Sequence, residues 1–281
     1  MSTLTPATLD EVTPRARAGN AAHPVQARPL GRSLVLPLLL PAAILVLWQS
    51  AASFEWLSPQ VLPAPALVLD TFLELARNGD ITAALAISLH RIAIGFSIGA
   101  LLGLLTGILL GVSERVKDYV EPTLRGLFAV PSIGWIPILI LIFGVDETLK
   151  ILIIAKAVFV PLVINTAQGI RNVPVAYREA AQVMKLRAVT RLFKLTIPAS
   201  LPAIFSGVRL GLSHAFIALV VVEMLAATEG IGYMMVWGRK LFQIDTVIVG
   251  MLIVGALGYA LDKILRRIET RLSTWTPQHG R

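Results

Sequence analysis

Three ionisable side chains stand inside long apolar stretches: Lys156, Arg209 and Glu223. A charge at membrane depth is costly, so each needs an opposite charge, a backbone partner or a charged ligand. The Arg209 guanidinium presents the paired N–H donors that hold an oxyanion, which makes it a candidate contact for an anionic substrate. The alternative is a bond to backbone carbonyls or to a neighbouring helix. Lys156 and Glu223 either pair with each other, or the lysine carries its ammonium to the surface along its apolar stem. Asn165, another polar side chain in an apolar stretch, joins Arg209 and Glu223 as a candidate for a translocation path.

Other chemistries find no residues to carry them. The chain has no cysteine, hence no thiolate nucleophile, disulfide framework or cysteine-ligated metal. Its four histidines (His23, His90, His214, His279) show no metal-ligand spacing. No G-x-x-x-x-G-K-[ST] phosphate loop, H-E-x-x-H or G-x-S-x-G occurs. The acids are scattered, so no catalytic residue is assigned and no enzyme is expected.

The elements that must position these groups are membrane spans. Of 281 residues, 56% are apolar and only 15% charged, with mean hydropathy +0.75; an ordinary globular domain has about 25% charged residues. Six apolar segments have the length a bilayer requires: 34–52, 84–112, 122–145, 149–170, 199–224 and 244–264. Small residues follow the first, as at a signal cleavage site, but 33 residues precede it, so it is read as a span. Placing the N-terminus in the cytoplasm puts seventeen lysines and arginines in the inner connections and four (Arg77, Lys150, Arg239, Lys240) in the outer ones. That asymmetry sets the orientation, with both termini inside. It also assigns the net charge of +8 to the membrane surface and its lipid rather than to nucleic acid. Residues 1–33 have no periodic apolar pattern and are expected to be disordered, ahead of a transmembrane domain at 34–270 and a cytoplasmic tail at 271–281. A short amphipathic piece of the first outer loop, from Leu67 to Ala76, is expected at the outer surface.

Two spans carry special features. Gly95, Gly99, Gly103, Gly107 and Gly111 recur at i+4 and leave one bare stripe along a helix, against which another helix can pack closely, within one subunit or across a dimer seam. In VPSIGWIP (130–137), Pro131 and Pro137 each remove a backbone donor around Gly134. The reading is either a simple kink or a break that lines a pore through Pro131, Ser132 and Trp135.

One segment breaks the apolar pattern. Residues 178–202 hold Arg178, Lys185, Arg187, Arg191 and Lys194 against a single acid, Glu179. On a helix, Leu186, Val189, Phe193 and Ile197 share one side and Arg187, Arg191 and Lys194 another. Such a segment can lie on anionic lipid, act only as a topology signal, or dock into a groove of a cytoplasmic partner. Composition leaves the three open.

The order of residues resembles the EAA loop of ATP-binding-cassette (ABC) importer permeases. That pattern reads E-A-A, three residues, G, nine residues, an aliphatic, one residue, L-P; here Glu179-Ala180-Ala181, Leu195 and Ile197-Pro198 stand in register. Lys185 holds the glycine position, where the family makes a sharp turn between two short coupling helices, so the turn is expected to be looser or made differently. LPAPALVLDTFLELARNGDI (62–81), IPILILIFGVDETLKILII (136–154), NTAQGIRNV (165–173) and VEMLAATEGIGYMM (222–235) extend the resemblance to the nitrate/sulfonate/bicarbonate/taurine subfamily, over about residues 34–275. Aliphatic sulfonate permeases are the most similar.

The resemblance implies an all-α, six-helix type I importer permease (MetI-like) of the bacterial inner membrane, working as a pair. It implies two cytoplasmic ATPase subunits that bind ATP and Mg, no cofactor in this chain, and a periplasmic or lipid-anchored binding protein that delivers a small oxyanion. Aliphatic sulfonate leads, with taurine, nitrate and bicarbonate as the others. The coupling role falls on the segment 175–198, at Arg178, Glu179, Ala180, Ala181, Lys185, Arg187 and Pro198. A secondary transporter or channel working alone is the competing class. It often shows broken helices in both halves, and the 130–137 break has no counterpart in the last three segments.

Overall fold

The computed structural model describes residues 30–272 except 57 and 59, with side chains over 39–271. The expectations for residues 1–29 and 273–281 lie outside the described residues. Every described element is helical: α1 (Leu30–Ser53), α2 (Pro65–Arg77), α3 (Asp80–Val112), α4 (Glu114–Ala129), α5 (Ile136–Phe143), α6 (Glu147–Arg171), α7 (Val175–Val183), α8 (Ala188–Arg191), α9 (Ile197–Ala226), α10 (Ile231–Lys240) and α11 (Ile244–Leu272). The chain divides into two compact units at residue 47. The described part of the first is the front of α1; everything below concerns the second.

Five of the six predicted spans fall on single helices, and the sixth, 122–145, is divided between α4 and α5. Among the described residues, α3, the continuous helix Ala188–Ala226 and α11 are long and apolar enough to cross a bilayer, and the bent pair α4–α5 makes a fourth if it is one span. The segment 149–170 lies within α6, which supplies much of the core: Leu149, Ile153, Ile154 and Val158 are fully buried. α3 packs along one side of it and α9 along another. With Leu212, Ala215, Leu219 and Val222 of α9 they form the main apolar core.

The glycine stripe of α3 explains how two helices come so close. A Cβ at Gly95, Gly103, Gly107 or Gly111 would stand 2.6–2.8 Å from Ile154, Leu162, Thr166 or Ile170, and one at Gly99 would collide with the Ala155 carbonyl. Contacts this short are not tolerated, so the glycines are the condition for the α3–α6 seam. The stripe is therefore used within one chain, rather than at a dimer seam.

The amphipathic piece of the first outer loop is α2. Its Val68 is buried with Ile231, Met235 and Val249, and Thr71 Oγ1 donates to Asp245 of α11. Leu67, Leu69, Phe72 and Leu73 remain exposed. The inner connection opens on α4, where the Ser113 hydroxyl accepts from Val116 N (3.3 Å) and caps the helix.

Candidate functional site

Polar groups collect in three places, and the broken helix is the first. Pro131 disfavours helical backbone at the residue before it, and Val130 is extended (φ −85°, ψ 115°). A 3-10 turn, Ser132–Trp135, follows, and α5 starts with Pro137 in its first turn, where a missing N–H costs nothing. The chain turns by 85° between α4 and α5, which is a break and not the simple kink that was the other of the two readings. The break frees the Val130 carbonyl, and Lys156 Nζ of α6 donates to it at 3.0 Å. The same ammonium stands 5.4 Å from the centre of the Trp135 ring. Lys156 thus does not pair with Glu223; it bonds the loose end of a neighbouring helix.

A cavity of about 460 Å³ opens beside this break. Pro131, Ser132, Lys156, Asn165 and His214 reach it, among apolar walls that include Val160, Ile164, Leu210 and Ile217. Three of the six residues proposed for a path therefore meet here (Pro131, Ser132, Asn165), with Trp135 behind Lys156. His214 was missed, having no spacing signal of its own.

Arg209 and Glu223 lie elsewhere. Arg209 Nε donates to Asp262 Oδ1 (2.9 Å), and its Nη1 stands 3.8 Å from Glu269 Oε2, joining α9 to α11. An arginine so engaged is a tie to a neighbouring helix, the second of the two readings given for it, rather than a substrate contact.

Glu223 is fully buried in the second collection. It accepts from Arg91 Nη1 (2.7 Å), Ser88 Oγ (2.8 Å) and Gly232 N (2.9 Å). Arg91 also donates to the Glu229 carbonyl (2.8 Å) and grips Glu147 with Nε and Nη2 (2.8 and 2.6 Å). Lys150, counted above among outer-loop charges, is buried and donates to Glu147 (2.7 Å). Glu147 lies just outside the predicted span 149–170; the hydrogen bond from Arg91 is the main cause that lowers its pKa from 4.5 to about 2, with Lys150 adding to it against desolvation. This network ties α3, α6, α9 and α10 together at what the charge asymmetry makes the outer end. Glu223 is thereby a fastening rather than a path residue. Arg91 was missed because it sits where an apolar run begins, and its partners are 56 and 132 residues away.

The third collection is the basic segment. α7 ends in a Schellman turn: Lys185 N donates to the Gln182 carbonyl (2.9 Å) and Leu186 N to the Ala181 carbonyl (3.1 Å). Lys185 takes the left-handed backbone this requires, φ +48°. The turn is as tight as a glycine would make it, which corrects the looser turn expected. Arg178 folds back on the C-terminus of α6, donating to the carbonyls of Ile170 (3.2 Å) and Arg171, so its guanidinium is used inside the chain. Ala181 is buried, whereas Glu179, Ala180, Lys185 and Arg187 are exposed. A π-helical turn, Leu192–Thr196, leads into α9, whose first turn takes Pro198. Val183, Met184, Val189 and Phe193 expose 83, 70, 68 and 64% of their surface. Of the apolar side foreseen for this segment, Val189 and Phe193 are thus left uncovered by the chain itself, while Leu186 and Ile197 are half-buried.

Comparison with known proteins agrees with this architecture. The family described as "Binding-protein-dependent transport system inner membrane component" matches residues 99–274. The putative aliphatic sulfonates transport permease protein SsuC of Bacillus subtilis is 40% identical over 238 residues, 85% of this chain and 86% of the relative. The taurine transport system permease protein TauC of Escherichia coli is 31% identical over 257 residues, 90% of this chain and 92% of the relative. Among solved structures, a chain of the MetNI methionine ABC transporter in an inward-facing conformation superposes with TM-score 0.51 at 16% identity, over 66% of this chain and 94% of that one, a likeness of fold. With the family matched over more than half its length and relatives matched nearly throughout, the chain belongs to the binding-protein-dependent inner membrane components, the multi-pass permeases of ABC importers.

Proposed function

We propose that two identical copies of this chain form the membrane path of an importer for a small oxyanion, with aliphatic sulfonate as the first candidate. The observation that carries the substrate class is the 40% identity to a relative named as an aliphatic sulfonates permease, with a taurine permease next to it. Two cytoplasmic ATPase subunits hold ATP and Mg and each receives one 175–198 segment. A periplasmic or lipid-anchored binding protein supplies the substrate. The coupling role is supported by the segment's form. Its small alanines leave room for a groove wall, Glu179 is free to meet a basic partner, and four large apolar side chains await cover. Closure of the ATPase pair would then move these segments and turn the path from one side to the other.

The test is uptake of a radiolabelled alkanesulfonate into proteoliposomes holding the permease, its ATPase and its binding protein. Uptake is expected only with ATP, and Glu179→Arg is expected to abolish it while the protein still inserts. Uptake by the permease alone, without ATPase or ATP, would overturn the proposal.

A further inference from the structure

The cavity beside the break contains a charge that the fold does not neutralise. Arg91, Glu223, Arg209 and Asp262 each bond to an opposite charge. Among the described residues Lys156 has no carboxylate within the same reach. It is held only by the Val130 carbonyl and the Trp135 ring. An ammonium has three N–H donors, and the protein engages one. Ser132 Oγ has no partner among the described residues, and Asn165 Nδ2 spends one donor on the Pro161 carbonyl (2.8 Å), leaving its second. All three residues line the same cavity, whose volume of about 460 Å³ is that of small-molecule sites, about 300–1,000 Å³.

The remaining walls decide what kind of ligand suits these donors. Val160, Ile164, Leu210 and Ile217 are apolar, so an inorganic anion would leave them unused. A zwitterion whose anionic end met Lys156 would set its ammonium against these apolar walls, where a charge without a partner is costly. An anionic head on a short alkyl chain satisfies both parts.

We propose that this cavity is a binding site within the permease for a small organic anion, its head held by Lys156, Asn165 and Ser132 and its alkyl part along the apolar walls. The assignment rests on the importer reading above and adds to it: selection among oxyanions is made in the membrane as well as by the binding protein. Lys156 has two tasks, bracing the broken helix and presenting charge, and arginine can perform both whereas methionine can perform neither.

Trp135 supplies the readout, since its ring stands beside Lys156. The complete transporter in liposomes is titrated with butanesulfonate, with butanol and butylammonium as neutral and cationic controls. Butanesulfonate is expected to give a saturable fluorescence change that Trp135→Phe removes. Lys156→Met should weaken it about tenfold or more, the worth of a hydrogen bond to a charged group, and lower uptake in parallel. Lys156→Arg should retain binding. The proposal is overturned if Lys156→Met binds and transports as the native chain does, or if butanol gives the same response as butanesulfonate. It is also overturned if Lys156→Arg assembles but binds no better than Lys156→Met. Native transporter without ATP-driven uptake would defeat the importer reading itself; native uptake with an unaffected Lys156→Met defeats only the site.

Discussion

Lys185 closes a helix with a backbone that lysine adopts reluctantly. A side chain in the left-handed region costs about 1–2 kcal/mol, and φ of +48° places Lys185 there. Lys185→Gly is therefore expected to raise the stability of the solubilised protein by about 1 kcal/mol, and Lys185→Val to lower it; thermal unfolding in detergent measures both. The hydrogen bonds of the turn do not involve the lysine side chain, so the glycine variant is expected to keep the turn itself. At this scale the sequence was partly legible. The register from Glu179 to Pro198 located the turn, because the spacing of a cap is local. The conformation of Lys185 was not legible, since side-chain preference and turn requirement point in opposite directions and only the surrounding fold decides between them. Arg209 and Glu223 were recognisable as charges needing partners. The partners themselves, Asp262 and Arg91, are brought near only by packing of distant segments.

The helices were more legible than their contacts. Glycines at i+4 fall on one face whatever the helix packs against, so the α3 stripe was foreseen, whereas its partner, α6, had to be found in three dimensions. The consequence is selective intolerance. Gly103→Ala puts a Cβ 2.8 Å from Leu162 and is expected to cost about 1–3 kcal/mol, the range for overpacking. Gly126, in α4, has nothing within 4 Å of the added carbon, so Gly126→Ala is expected to be neutral or to stabilise by up to about 1 kcal/mol. Folded yield and thermal unfolding of the two variants side by side check the contrast. The break at 130–137 shows the opposite limit. Two prolines announced an interruption, but an 85° turn depends on where α5 finds its packing, next to the 3-10 turn and α6.

In the whole molecule, four helices are fastened at one end by the Arg91–Glu223 network. Removing one partner from a buried pair strands the other, at about 3–5 kcal/mol. Glu223→Leu is accordingly expected to lose at least about 3 kcal/mol. Arg91→Met is expected to cost less in that background than in the native chain, the non-additivity that marks a direct pair; unfolding of the four proteins measures it. The fastening is also acid-resistant. Glu147 has a pKa depressed from 4.5 to about 2, so its contribution is complete above pH 4.5 and is lost only as pH falls toward 2. From this fastening the 39-residue helical stretch Ala188–Ala226, with its π-helical turn at Leu192–Thr196, runs back to the segment that offers Val189 and Phe193. At 1.5 Å per residue it is a beam about 57 Å long. With Glu223 as fulcrum, about 52 Å away, a push of one helical turn, about 5.4 Å, at the Ala188 end would rotate the beam by about 6°. Leu210, in the cavity wall and about 40% of the way from the fulcrum, would then move by about 2 Å, so under the proposed coupling a lever of this length would convert a large stroke outside the membrane into a fine adjustment of the cavity.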